Sequence, residues 1–575
     1  MTRPTAAAPA WRCACTGAAG AGALALLAIG LLRWRFPWFL QPAWLAALLL
    51  LLPAGLLGAA IAWRLRRAVA VAPWLLPVVL LAAGAVLALP SPDVRGLRML
   101  VVVIDGATWH LIDPMIAAGE LPALAALRRG GASAVLRSEE PMHSPRLWTT
   151  IATGRRPAEH GITGFSTRAT DLRAARFWDV AEAEGLRVGI YKWLVTYPPR
   201  AVDGFMVPSW LAAGPETWPP ELSFVKELEL GHRLRHVRVP ARRSALVLAL
   251  RGLDGGLRLG TLAEAAGWLL RDRLLHPEEG ARLIALQHLR ARIDRDVCIG
   301  ALAAQRPAVA TFGYYATDAL SHRFWPDDAP ATGRDPVREA CRQADAILGE
   351  LVALAGPGAT VVVVSDHGFR ALDAATGSGF LAPRTEALQA RLIRALGPLE
   401  VTRVGGKLTV TLPATGPCLE DLEEAVAALR DGAGESFFRT ERLPSDPRSL
   451  GLTIDRARLS EAGIASATVG GEPMADYVRL AAGYAGEHDL EGIFLAMGPG
   501  IPAGLRLDPM DLVDVSPTIQ ALLGIPPAQD LSGRIVLGPA TRGPASRDGL
   551  LARHRFVAGE AGVDEEALRG VGYVE

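Results

Sequence analysis

The chain is short of cysteine and of lysine. Five cysteines occur in 575 residues (Cys13, Cys15, Cys298, Cys341 and Cys418), and none forms a Cys-x-x-Cys pair. That excludes a disulfide scaffold and a zinc ribbon built from cysteine. Lysine occurs only at Lys192, Lys226 and Lys407, so arginine carries nearly all the positive charge. Neither sign of charge is in excess. Lys+Arg total 60 against 59 Asp+Glu, a formal net charge of +1. A protein built chiefly to hold nucleic acid would show a basic surplus, and none is present. Hydrophobic residues, by contrast, make up 50% of the chain, and mean hydropathy is +0.24. The excess is concentrated before residue 93.

Three runs there carry no charge: Ala14 to Leu32, Ala43 to Trp63 and Val69 to Leu89. Each is long enough to cross a bilayer as a helix. Pro53, Pro73 and Pro77 interrupt them, which membrane helices tolerate. Trp34, Trp38, Trp44, Trp63 and Trp74 lie near the ends, as an interfacial aromatic belt requires. Arg3 and Arg12 precede the first run, and Arg64, Arg66 and Arg67 join the second to the third. Arg33 and Arg35 in the other loop pull the opposite way. The larger count puts the amino terminus and the second loop inside, and everything after Leu97 outside the cytoplasm. The first run also fits a cleaved signal peptide. Two crossings from an outside start lead to the same side. The expectation is a multi-pass membrane protein with an extracytoplasmic domain.

After residue 92 the pattern changes. Met99 to Ile104 is a continuous apolar run, as in a parallel strand buried on both faces. Similar runs follow at Val188–Tyr191, Ala308–Tyr314, Thr360–Ser365 and Ile493–Met497, with helical stretches between them. The alternation predicts an α/β fold, a mainly parallel central sheet flanked by helices. The predicted organisation is an anchor of about three transmembrane helices over 1–92, one domain over 93–538, and a tail over 539–575. Insertions are expected at about 165–307 and 377–483. The second contains a hairpin signal, two alternating strands around Gly405-Gly406.

Ligands of such sheets bind at the carboxyl ends of strands. Four positions at strand edges carry metal-ligand residue types. Val101–Ile104 runs into Asp105, and Phe312–Tyr315 runs into Asp318, with His322 four residues on. Val361–Val364 runs into Ser365-Asp366-His367, and His488 immediately precedes the strand at Ile493. Taken singly each has a plain reading, such as Asp105 capping the next helix. Together they give six Asp and His ligands, more than one tetrahedral ion takes, so two divalent ions are expected. Zinc fits this donor set first, with manganese or iron as alternatives.

Residues 142–154 read Met-His-Ser-Pro-Arg-Leu-Trp-Thr-Thr-Ile-Ala-Thr-Gly, and His160-Gly-Ile follows. Here the sequence resembles the alkaline phosphatase superfamily, and within it the type I phosphodiesterase/nucleotide pyrophosphatase branch. In that branch the nucleophile lies ten residues before the Gly of a Thr-Gly pair, which here is Ser144. The closing Asp514-Val-Ser-Pro-Thr-Ile-Gln-Ala-Leu-Leu-Gly-Ile-Pro fits the same pattern. The resemblance implies one metal held by Asp105, Ser144, Asp366 and His367, and another by Asp318, His322 and His488. It implies a two-metal phosphohydrolase, a phosphodiesterase first, acting on a phosphate ester through a phosphoseryl intermediate, and the apolar runs add the expectation that it is membrane-anchored. No nucleic acid is expected as partner, beyond a nucleotide as substrate. The alternatives are a phosphomonoesterase, a transferase of phospho-headgroups to a lipid or glycan alcohol, and a non-catalytic binding domain. Two cations are expected to touch substrate, Arg146 and Lys192. The branch usually has Asn three residues after the nucleophile, where this chain has Leu147. Pro145 directly after Ser144 departs from the sulfatase pattern. His110, His143 and His160 are read as structural or as supports behind the metal ligands.

Overall fold

A computed structural model describes residues 94–557, apart from 234–244, 326–334, 372–379, 443–447, 455–467, 474–477, 482–484 and a few shorter gaps. The three apolar runs before residue 93 lie outside the described residues. Among those described, no helix is long and apolar enough to cross a membrane.

A nine-stranded sheet forms the centre. Its middle is parallel: β1 (Met99–Ile104) lies between β5 (Val309–Tyr314) and β6 (Thr360–Val364). Beyond β5 come β3 (Val188–Tyr191) and β4 (Gly204–Val207), also parallel. On the other side β13 (Glu491–Met497) runs antiparallel to β6 and to β2 (Ala132–Arg137). The α/β reading holds. Alternate residues of the central strands enter two separate cores. Met99, Val101 and Val103 face one, while Leu100, Val102 and Ile104 face the other. Burial on both faces is why these strands read as unbroken apolar runs.

Within 165–307, α4 (Phe177–Ala183), β3 and β4 belong to this central layer. The excursion proper comes later. It consists of α5 (Ser223–Arg233), α6 (Ala245–Asp254), α7 (Leu259–Leu275) and the long α8 (Glu279–Gln305). Within 377–483 a second sheet has its own core. β8 (Glu400–Val404), β9 (Lys407–Thr411), β10 (Phe438–Arg442) and β11 (Ser449–Ile454) form it with α11 (Thr385–Leu396) and α12 (Leu419–Ala427). β8 and β9 pair antiparallel, Lys407 opposite Val404, as the alternation around the glycine pair predicted. The described end of the tail folds back onto the domain. Phe556 bridges Arg200, and Asp548 accepts from the backbone N–H of Ala175.

Candidate metal centre

The carboxyl ends of β1, β5 and β6 meet at one edge of the sheet, and each delivers its ligand there. Asp105 follows β1 directly and turns at Gly106, whose φ is +70°. A Cβ at Gly106 would lie 2.7 Å from the Phe369 ring, so only glycine fits the turn. Asp105 caps no helix. α1 (Trp109–Ala117) has Thr108 at its N-cap position. Asp318 and His322 sit one turn apart on α9 (Ala316–Phe324), which springs from β5. Their i, i+4 spacing puts both side chains on one face. Asp366 and His367 follow β6. His488 reaches in from β12 (Gly486–Asp489), held opposite Phe369 by antiparallel pairing with β7 (Gly368–Ala371).

Ser144 is the first residue of α3 (Ser144–Thr153). His143 occupies the N-cap position, so Ser144 is not itself the cap of the helix. Thr153-Gly154 closes this helix. Gly154 is left-handed at φ +70°, and a Cβ there would stand 2.9 Å from Pro517. The glycine thus lets α3 pack against α13 (Val515–Leu522). Asp514, rather than Ser516, holds the N-cap position of that helix.

All seven predicted ligands converge. His367 Nε2 lies 3.4 Å from Ser144 Oγ, from Asp105 Oδ1 and from Asp366 Oδ2. Asp318 Oδ1 lies 3.3 Å from His488 Nε2 and 3.5 Å from His322 Nε2, and the two imidazole nitrogens are 3.1 Å apart. Tetrahedral ligands about 2.0–2.1 Å from a zinc ion stand roughly 3.3–3.4 Å from one another. These separations are of the size of such edges, and Asp105, Asp366 and His367, and likewise Asp318, His367 and His488, stand close enough together to hold an ion. The grouping is close-knit, since His367 Nε2 is also 3.8 Å from Asp318 Oδ1.

The protons point the same way. His367 Nδ1 faces the Gly368 carbonyl at 3.0 Å, and His488 Nδ1 faces that of Met142 at 3.1 Å. A carbonyl only accepts, so each ring carries its proton on Nδ1 and turns the Nε2 lone pair inward. Burial and the charges of Asp366 and Asp318 push Asp105 well above the ordinary carboxylate range. Burial and the Asp318 charge push Asp366 up to about 6. Burial works against Asp318 too, yet His322 and His488 hold it below that range. Burial and the neighbouring His488 push His367 well below the usual imidazole value, so the ring is neutral. Among the described residues, Asp105 Oδ1 and both Asp366 oxygens have no hydrogen-bond partner. Buried carboxylates are costly in that state, and a cation is what would complete them.

Residues 99–382 match the family model for type I phosphodiesterase/nucleotide pyrophosphatase. No curated protein matches the chain significantly. The phosphodiesterase match spans Asp105, Ser144, Asp318, His322, Asp366 and His367, and His488 lies beyond it. The family is metal-dependent, and its activity is phosphoryl transfer of the phosphodiesterase or pyrophosphatase type.

The two expected substrate cations fare differently. Arg146 bonds the Pro141 carbonyl at 2.8 Å and pairs with Glu139 at 3.5 Å. Lys192 is buried, in a left-handed backbone at φ +60°, with its ammonium 2.7 Å from Glu229 and 3.5 Å from Asp294. It lines a cavity with Trp210, Glu229, Asp294 and Tyr315. Tyr315 stacks on Trp148 of α3 and donates to the Lys192 carbonyl. Sequence reasoning passed over Tyr315, although its place between β5 and Asp318 marked it. It also passed over Ser365, whose hydroxyl donates to the His367 carbonyl and accepts from the Ala107 N–H at 2.9 Å. His160 is structural as expected: its Nδ1 accepts from the Ile162 N–H at 3.1 Å.

Proposed function

We propose that the chain is a membrane-anchored phosphodiesterase in which Ser144 is the nucleophile and two divalent cations are cofactors. The observation that carries this reading is the spacing of the seven donor atoms, with Ser144 Oγ among them at the amino end of a helix. Asp105, Ser144, Asp366 and His367 would hold one ion, and Asp318, His322 and His488 the other. When bound, the ions supply charge neutralisation for the phosphoryl group and lower the pKa of the serine hydroxyl. Ser144 Oγ loses its proton and forms a bond to phosphorus, while the ester bond opposite breaks and its oxygen takes a proton as the alcohol leaves. Water then cleaves the phosphoserine and restores the hydroxyl. The amino end of α3 favours the phosphate oxygens through its free N–H groups and dipole. Lys192 stays in this reading as a substrate contact from the adjoining cavity, whereas Arg146, held by Glu139 and Pro141, is left out. Zinc is the proposed metal. The apolar runs before residue 93 would tether the domain on the extracytoplasmic side.

Metal analysis and a substrate panel test the reading together. The full-length protein in detergent should bind about two ions per chain by the ligand count above. It should hydrolyse a bis-aryl phosphodiester faster than the matching monoester. His322→Ala should lose about one of those ions and most of the activity. Full metal content with normal turnover in that variant would remove His322 from the site, and a metal-free active enzyme would end the proposal.

A further inference from the structure

Soluble domains rarely leave large apolar side chains clustered in water. Among the described residues, eight large hydrophobic side chains are exposed, and six of them belong to α6 and α7. Leu250, Leu269, Leu270, Leu274 and Leu275 are 46–70% accessible. On α7 the exposed positions Ala263, Gly267, Leu270 and Leu274 follow the i, i+4, i+7, i+11 pattern, which makes one continuous stripe. The opposite face is fixed to α8. Buried Asp272 pairs with Arg282 at 2.9 Å and buried Thr261 donates to Asp296 at 2.6 Å, while Glu264 on the flank pairs with Arg292 at 2.6 Å. The stripe is therefore outward by construction, and no rotation of α7 would hide it without breaking these pairs.

We infer that the outer face of α6 and α7 lies on the surface of an anionic lipid bilayer. Two features name that occupant. First, the chain before the described residues holds three uncharged runs of bilayer-spanning length, and it enters the fold at Val94 and Leu97. Those two residues pack in the same core as α8, on the face of the sheet to which Leu248 of α6 also adds. The chain thus enters the fold on the face of the sheet that carries α6 and α8. Second, Arg271 and Arg273 are exposed on α7, one on each side of Leu270 and Leu274 around the helix. Leucines flanked by arginines are the composition of a helix lying in the interface, apolar face among the acyl chains and cations at the headgroups. The inference rests on the membrane-anchor reading, and its consequence is a domain held flat on the bilayer rather than swinging on its linker.

A fluorophore on full-length protein in phosphatidylcholine/phosphatidylglycerol vesicles tests it. The probe is placed by Leu270→Cys, with Cys13, Cys15 and Cys418 changed to Ser, and compared with Ile393→Cys, an exposed apolar position on α11. The Leu270 probe should be quenched by a lipid-borne nitroxide and several-fold less by aqueous iodide than the Ile393 probe. Leu270→Asp with Leu274→Asp, labelled at Leu269→Cys, should restore iodide quenching to the Ile393 level. Equal iodide quenching at 270 and 393 would overturn the inference. So would shielding from iodide without lipid quenching, which would mean that a second copy or another part of the chain covers the stripe. An alkaline carbonate wash reports the anchor independently: protein released by the wash retires the anchor, whatever the probe reads.

Discussion

A single hydroxyl decides whether this centre does covalent chemistry. Ser144 is buried, and its Oγ stands 3.4 Å from His367 Nε2. In the proposed centre Ser144→Ala would remove one donor of four at one ion and leave the other three in place. Turnover should fall by ~10³-fold or more, as the loss of a nucleophile does elsewhere, while the folded spectrum and most of the metal remain. A chiral phosphorothioate diester gives the second readout. Two in-line displacements retain configuration at phosphorus, whereas direct attack by water inverts it. Inversion, or an alanine variant at near-native rate, would reduce Ser144 to a helix residue that happens to face the ligands. Helix geometry also explains why Arg146 is not with them. Two residues along an α-helix is about 200° of rotation, so with Ser144 turned to the site Arg146 turns toward Glu139.

At the scale of elements, α3 depends on a neutral histidine. His160 lies fully buried against the helix, its Nε2 3.1 Å from Thr150 Oγ1 and its Nδ1 accepting the Ile162 N–H. Burial, and then the Arg146 charge, push its pKa down to about 4. The unfolded chain takes up that proton near 6.5, so this contribution to stability is complete above about 6.5 and is lost as pH falls through 4. The loss amounts to roughly 3 kcal/mol at most. With metal removed from both proteins, the urea midpoint of wild type should fall more between pH 7 and pH 4.5 than that of His160→Gln. Equal slopes would mean that the ring is protonated in the fold. Elements of this kind were readable in advance where the signal is local. The apolar runs of β1, β5 and β6 and the polar residues after them announced the site, and Thr153-Gly154 located Ser144. What escaped is non-local. Lys192 meets Glu229 and Asp294 across distant parts of the chain, and nothing in either stretch announces the partner. β3 was read as a strand at Val188–Tyr191 although the stretch around it was expected to be an insertion, and the four-residue β4 was not singled out because so short an apolar run is hard to tell from the helical stretches around it.

For the whole molecule, the stretch expected to be a tail acts as a strap. Asp548 accepts from Arg155 at 3.0 Å, and His554 stands 3.4 Å from Asp179. Ala201 donates to the Arg555 carbonyl at 3.0 Å, and Val557 to that of Pro199 at 2.8 Å. Asp179 is the centre of this contact. Its carboxylate is almost wholly buried and accepts from Arg176 Nε at 2.8 Å and from Arg200 at 2.7 Å. Burial alone would raise its pKa, but Arg176, His554 and Arg200 hold it well below the usual range. Two buried guanidinium groups thus share this carboxylate, and Arg200 also pairs with Glu182 at 2.6 Å. Asp179→Ala should cost about 3–5 kcal/mol, the penalty of stranding buried charge. Deleting residues 547–575 should cost less, because Arg155 keeps Asp530 and Glu159, and Arg176 and Arg200 keep Asp179. The two changes share one cluster, so their combined effect should differ from the sum. Differential scanning fluorimetry on the three variants measures the order. Activity per folded molecule should survive the truncation, since the strap contacts α4 and its surroundings and none of the seven proposed metal ligands. A truncation that lost activity at unchanged melting temperature would instead place the strap in the catalytic machinery.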